Sequence, residues 1–369
     1  MSKVRVRTRQ VLLGRLCLIA LWGAVFSGGL PGSLQAATQH VLVVTGIAGE
    51  AFYAKRFNSR AEALRDALAT GQGVSDSHLV WLRGDGEGSS RATRDNVLTA
   101  IAAVANTAAP SDQFALIYIG HASARRQQLK LNLPGPDLRA EELDEALRSL
   151  DARPVLLVLA APASGAFVRA LSATRRVVIT ATSNAAENQQ PQFAGPFART
   201  FAQNGTDLDK DKRISVLEAF LRASTEVRRG YERDGLIVVE HALLDDNGDG
   251  KGTRLAIGDE ILPGADGDVA RRFFLDVSRE SAADGDAPER LRLRLEARDL
   301  VDRIEELKRE KTKYFEGDYL ARLEDLLVQL ALNRRAYRKD LDPGQDGVTT
   351  PVRNSRPDEP VDGAGGERS

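Results

Sequence analysis

Residues 114–121 read FALIYIGH and residues 155–165 read VLLVLAAPASG. Each stretch opens on a continuous apolar run and then breaks, at Gly120 in the first and at Pro162 in the second. Such runs, bounded by turn residues, have the length and composition of strands buried on both faces. HVLVVT at 40–45, HLVWL at 78–82 and VVITAT at 177–182 read the same way. The segments between them carry apolar residues at helical spacing. One helix is expected over 59–70 with Ser59 as its N-cap. Others follow over 93–106, with Thr93 as cap and Val97, Ile101 and Val104 on one face, then over 139–149 and 165–172. Alternating strand and helix predicts an α/β domain with a mostly parallel sheet flanked by helices. In such sheets function collects beyond the carboxyl ends of the strands. The loops after Thr45, Ile119, Ala160 and Thr182 are therefore the places to look.

The chain has 369 residues, 42% of them hydrophobic, and a formal net charge of -1. A core is affordable, and no basic surplus favours nucleic acid. The lone cysteine, Cys17, excludes internal disulfides and Cys-based zinc clusters. It falls in a segment of export type. Lys3, Arg5, Arg7 and Arg9 precede an apolar run from Leu16 to Phe26, and small residues follow up to Ala36 and Ala37. This order predicts a signal peptide over 1–37 and a periplasmic or secreted product, with an uncleaved membrane anchor as the alternative. Cleavage would leave a protein without any thiol.

The predicted organisation is an α/β domain over 38–265, a linker over 266–287, a helical hairpin over 288–340 and a disordered tail over 341–369. In the hairpin, Leu293, Ala297, Leu300, Ile304 and Leu307 form one seam, and Leu320, Leu323, Leu327 and Leu330 the other. The turn is expected at Glu316-Gly317-Asp318. Such a hairpin either docks on its own domain or serves oligomerisation.

A strand ending in Gly-His, followed by a strand ending in a short Ala-Ala-Pro-Ala-Ser-Gly turn, resembles the legumain-type and caspase-like cysteine peptidases. The opening HVLVVTGIAGE and the later ITATSNAAEN resemble further parts of that family. The resemblance implies a caspase-like sheet, with His121 in the histidine position and the nucleophile position on Pro162. Proline offers neither a thiol nor an amide N–H. What remains is a vestigial His121 and, as a weak substitute, the hydroxyl of Ser164, which otherwise reads as a helix cap.

Residues 207–218 (DLDKDKRISVLE) match a twelve-residue calcium loop of EF-hand type. Asp207, Asp209 and Asp211 would supply carboxylates, Arg213 a carbonyl, Ser215 a hydroxyl and Glu218 the closing carboxylate. Lys212 stands where glycine is usual. A helix-capping, Asp-rich turn is the alternative. Asp245, Asn247 and Asp249 repeat the first half of such a loop, a weaker second metal site, but Ala256 holds its last position.

Three functions follow as expectations. The first is an exported pseudopeptidase that has lost its nucleophilic Cys, binds calcium, and acts as a binding or scaffolding protein for a protein or peptide partner. The second is a hydrolase with a non-Cys nucleophile. The third is a coiled-coil assembly protein working through residues 288–340.

Overall fold

The computed structural model describes residues 37–109, 111–125, 128–151, 153–202, 206–210 and 213–276, then 292–293, 296–297, 300, 303–304, 307–308 and 311–341. The export segment up to residue 36, the tail from 342, residues 277–287 of the expected linker, and Asp211 and Lys212 lie outside them.

The apolar runs form the sheet that was expected. Strands β1 (Gln39–Thr45), β2 (Leu79–Leu82), β3 (Gln113–Ile119), β7 (Val155–Ala160) and β8 (Arg176–Thr180) are parallel, and β9 (Leu243–Asp245) closes the edge antiparallel to β8. The order is β2-β1-β3-β7-β8-β9. Side chains alternate across the sheet, so each parallel strand feeds two cores. Val41, Val43, Ala115, Ile117 and Val158 pack with α1 (Ala51–Asp66), α5 (Ala194–Thr200) and α6 (Val216–Arg233). Leu42, Val44, Leu116, Tyr118 and Leu157 pack on the other face with α2 (Arg94–Thr107), α3 (Ala140–Arg148) and α4 (Val168–Leu171). The fold class is thus α/β with a mostly parallel sheet flanked by helices on both sides.

Several boundaries differ from the expectation. Helix α1 starts at Ala51 behind an extended Glu50, and Ser59 lies inside it, its hydroxyl donating to the Arg56 carbonyl at 3.2 Å. The apolar stripe Phe57, Ala61 and Leu64 sets its buried face. A small sheet of β4 (Ala122–Arg125), β5 (Gln128–Leu131) and β6 (Leu138–Arg139) follows β3. Its strands are short and half polar, so no apolar run announces them. Residues 266–276 belong to the domain and not to a linker. Val216 N–H donates to the Phe273 carbonyl at 2.8 Å, Ser215 bridges Phe274, and Phe273 and Leu275 are buried.

Helix α7 (Glu316–Leu341) packs Tyr319, Leu326 and Leu330 against Leu300, Ile304 and Leu307. Glu316, Gly317 and Asp318 open this helix and do not form the turn, which lies at 311–315. Leu323 and Leu330 pack in the seam as expected, but Tyr319 and Leu326 take the places expected of Leu320 and Leu327, which are exposed. Both faces of α7 carry leucines, so spacing alone did not decide between them. Among the described residues no helix is long and apolar enough to cross a membrane.

Candidate functional site

Ile119 and Ala160 are register partners at the carboxyl ends of β3 and β7. His121 and Pro162 each stand two residues beyond that last pair, on neighbouring strands. The packing under His121 is tight. The Tyr118 hydroxyl donates to the carbonyls of His121 at 2.6 Å and Asn132 at 3.0 Å. A Cβ on Gly120 would sit 2.6 Å from that hydroxyl, which is why glycine precedes the histidine. The imidazole lies edge-on to Tyr53 and Phe57 of α1, with ring centres 4.9 and 5.1 Å away. Its Nε2 is 3.2 Å from the Ala48 carbonyl. A carbonyl only accepts, so Nε2 carries the proton in that bond and Nδ1 is left as the basic nitrogen.

The turn after β7 is closed. Ala161, Pro162, Ala163 and Ser164 are all buried. Ala163 takes a left-handed φ of 54°, held as its amide donates to the Glu187 carbonyl at 2.8 Å. Ser164 is 0% exposed. Its Oγ accepts from the amides of Ala181 at 3.1 Å and Thr182 at 3.2 Å, and lies 3.1 Å from the Thr182 hydroxyl. It does not cap the short helix that follows, as the sequence suggests, but ties the turn to the end of β8. Its lone pairs are committed to amides, no imidazole is among its partners, and water has no access. A nucleophilic serine needs the opposite on each count.

Sequence reasoning missed one constellation beside this turn. Glu187 Oε1 is 2.7 Å from Nδ1 of His241, which reads from the sequence as a packing residue. The same carboxylate accepts from the Ser183 hydroxyl at 2.7 Å and from the amides of Ser183 and His241 at 2.8 and 3.0 Å. Burial opposes the Glu187 charge, yet these donors outweigh it and its carboxyl lies below the usual range. The carboxylate stands between serine and histidine, whereas a catalytic triad places histidine in the middle. His241 lines a cavity of about 600 Å³ with Phe193, Val227, Val238, Glu240 and Arg254. A second cavity of about 270 Å³ opens beyond β1 and β2, lined by Gly46, Ala48, Phe57 and Asp85. Neither cavity is lined by His121 or Pro162. The partners Glu187 and His241 are distant in sequence, so no motif could signal them.

In the 207–218 loop, Asp207, Asp209 and Glu218 each place an oxygen within 4.8 Å of the others. These are positions 1, 3 and 12 of the expected set. Ser215 and Glu218 also form the capping box of α6. Glu218 Oε2 accepts from the Ser215 amide and hydroxyl, both at 2.8 Å, while Oε1 accepts from the amides of Leu208 at 2.5 Å and Asp209 at 3.4 Å. One carboxylate thus folds the loop back onto the helix start. The side chain of Arg213 turns away to Asp276, Nη2 to Oδ1 2.6 Å, and its guanidinium lies 3.7 Å over the Phe274 ring. A left-handed φ of 62° falls on Lys210. Asp245 ends β9 at the antiparallel edge of the sheet, and Asn247 and Asp249 lie in the loop beyond it.

The fold is similar to that of the Drosophila initiator caspase Dronc, at 11% sequence identity and a TM-score of 0.35, over 58% of this chain and 82% of that chain. The likeness is one of architecture alone. No protein-family model and no curated protein matches the sequence.

Proposed function

We propose that this chain is an exported, caspase-like pseudopeptidase that binds calcium at 207–218 and serves as a binding or scaffolding protein. The observation that carries the reading is the state of the nucleophile position. Pro162 supplies no reacting atom, and it is buried between Ala161 and Ala163. Ser164, the nearest hydroxyl, is spent on the amides of Ala181 and Thr182. His121 donates its Nε2–H to the Ala48 main-chain carbonyl. General base and nucleophile are therefore not paired. Export rests on the order of basic, apolar and small residues over 1–37. Calcium rests on the three converging carboxylates of Asp207, Asp209 and Glu218.

A panel of fluorogenic peptides tests the loss of catalysis. The expected result is no turnover. Cleavage that disappears in His121→Ala overturns the reading. For the metal, calcium is expected to raise the melting temperature, and Asp207→Ala to remove that part of the rise which belongs to this loop.

A second reading makes the hairpin the working part. Leu320, Leu327, Val328 and Leu332 of α7 are each about half exposed, and Phe315 is 86% exposed. An apolar face of that kind suits self-association. Light scattering on full-length protein and Leu327→Glu separates the two. A monomeric mass for both removes the assembly reading.

A further inference from the structure

The hairpin loop after β9 holds a group that the fold leaves unsatisfied. Leu244 and Thr253 exchange both backbone hydrogen bonds, at 3.0 and 2.8 Å, and close the loop between them. Leu244 faces the core, so Asp245 faces the other side of the strand. Asp245 is 0% exposed, and neither of its carboxylate oxygens meets a donor in hydrogen-bond geometry. The Ser172 hydroxyl and the Gly250 amide lie near enough to ease its charge without closing a hydrogen bond, while the charged groups that bear on it are again carboxylates, Asp266 and Asp249. Its neighbour Asp246 shows how this chain satisfies a structural aspartate. That carboxylate accepts from the amides of Gly267, Val269 and Ala270 at 3.0, 3.0 and 2.7 Å. The result is to bring Asp266 against the loop. Asp266 accepts from the Asp246 amide at 3.2 Å and from the Thr253 hydroxyl at 2.6 Å.

The loop itself is wound for oxygen donors. Asn247 Oδ1 accepts from the Asp249 amide at 2.9 Å, and Asp249 Oδ1 from the Lys251 amide at 2.8 Å. Gly248 and Gly250 supply the left-handed φ angles of 78° and 74° that let the chain curl back. A buried, unpaired carboxylate among like charges is costly unless a cation joins it. We infer that residues 245–251 and Asp266 form a second calcium-type site, separate from 207–218. Asp245 and Asp249 give carboxylates, Asn247 its amide oxygen and Lys251 its carbonyl. Asp266 takes the role that a twelve-residue loop gives its last glutamate, where this sequence has Ala256. All donors are oxygen, the choice of a hard divalent ion. The three carboxylates here are not drawn together as Asp207, Asp209 and Glu218 are. Closing on the ion is the change that binding would bring.

The site is independent of whether the chain cleaves peptides. Calcium titration of the full-length protein, followed by calorimetry and melting temperature, tests it. Two sites are expected in the wild type and one in Asp207→Ala, whose melting temperature calcium still raises. Asp245→Asn is expected to lose this site, and Asp266→Asn to weaken it at least tenfold. In chelator, Asp245→Asn should melt higher than the wild type, because a buried charge is gone. Asp249→Asn, at an exposed position, serves if Asp245→Asn does not fold. Unchanged stoichiometry and affinity in Asp245→Asn or Asp249→Asn overturn the inference. So does an Asp207→Ala protein that no longer responds to calcium at all, although the first site would then stand.

Discussion

The turn at 160–165 and the loop at 245–251 both lie at strand ends of one sheet, and both hold buried polar groups. They treat them in opposite ways. At the turn, Ser164 is fully matched to the amides of Ala181 and Thr182, and Ala163 to the Glu187 carbonyl. At the loop, Asp245 is as deeply buried, and no donor meets its carboxylate in hydrogen-bond geometry. Buried polar groups are almost always paired. A saturated group therefore reads as structure, even where a catalyst might be sought, and an unsaturated one reads as a place prepared for something absent. The position of a residue at a strand end does not by itself separate the two cases. Its hydrogen-bond inventory does.

The sharpest way to break this contrast is Ser164→Ala. It leaves the Thr182 amide buried without an acceptor, at roughly 1–3 kcal/mol, and removes one of two acceptors from the Ala181 amide, which keeps the Leu159 carbonyl at 3.1 Å. The expected loss is about 3 kcal/mol in urea unfolding. A variant as stable as the wild type would show that Ser164 is not structural, and would reopen its candidacy as a nucleophile. Glu218→Ala comes next. It removes the capping box of α6 and the acceptor for the Leu208 amide, and should cost about 2 kcal/mol in chelator. No loss there would mean that Glu218 serves only the ion.

The opposite sign belongs to Asp245→Asn, for which chelator melts should show a gain on the order of 1 kcal/mol. A comparable loss would place Asp245 with Ser164 as a structural residue. The pH dependence sharpens the same point. Burial raises the carboxyls of Asp245, Asp266 and Glu240, and raises Asp246 to about 6. In the folded state these groups hold protons at pH values where the unfolded chain has lost them. Their contribution is complete below the ordinary carboxylate range and is lost as pH rises above it, for Asp246 through about 6. Glu187, beside the turn, is lowered and behaves inversely: its contribution is present above the ordinary range and is lost on acidification. Calcium-free protein is therefore expected to melt higher at pH 5 than at pH 7, with calcium reducing the difference. A flat profile would argue that the carboxylates of this loop are already paired. The smallest effect is expected from Leu327→Glu on α7, within about 0.5 kcal/mol, as for an exposed site. A larger loss would mean that this face is covered.

Much of this molecule was readable before any coordinates. Five apolar runs predicted the five parallel strands, because a strand covered on both faces has no polar side to interrupt it. Thr93 was readable as a cap, and its hydroxyl accepts from the Asn96 amide at 3.2 Å. The small sheet after β3 was not readable, since its strands alternate too briefly. Half of the α7 seam was readable, in Leu323 and Leu330; Tyr319 and Leu326 replace Leu320 and Leu327 because leucine occurs on both faces.

Composition by itself settled that the chain past Cys17 has no thiol, and the order of residues settled that proline stands two places beyond β7. These are local facts, and no packing can alter them. Tertiary structure alone decided that Ser164 is saturated by β8, that Glu187 meets His241, that 266–276 joins the domain, and that Asp266 reaches the loop of Asp245. Each of these joins segments distant along the chain. Such pairings follow from how helices and sheet pack around two cores, and sequence spacing carries no trace of them.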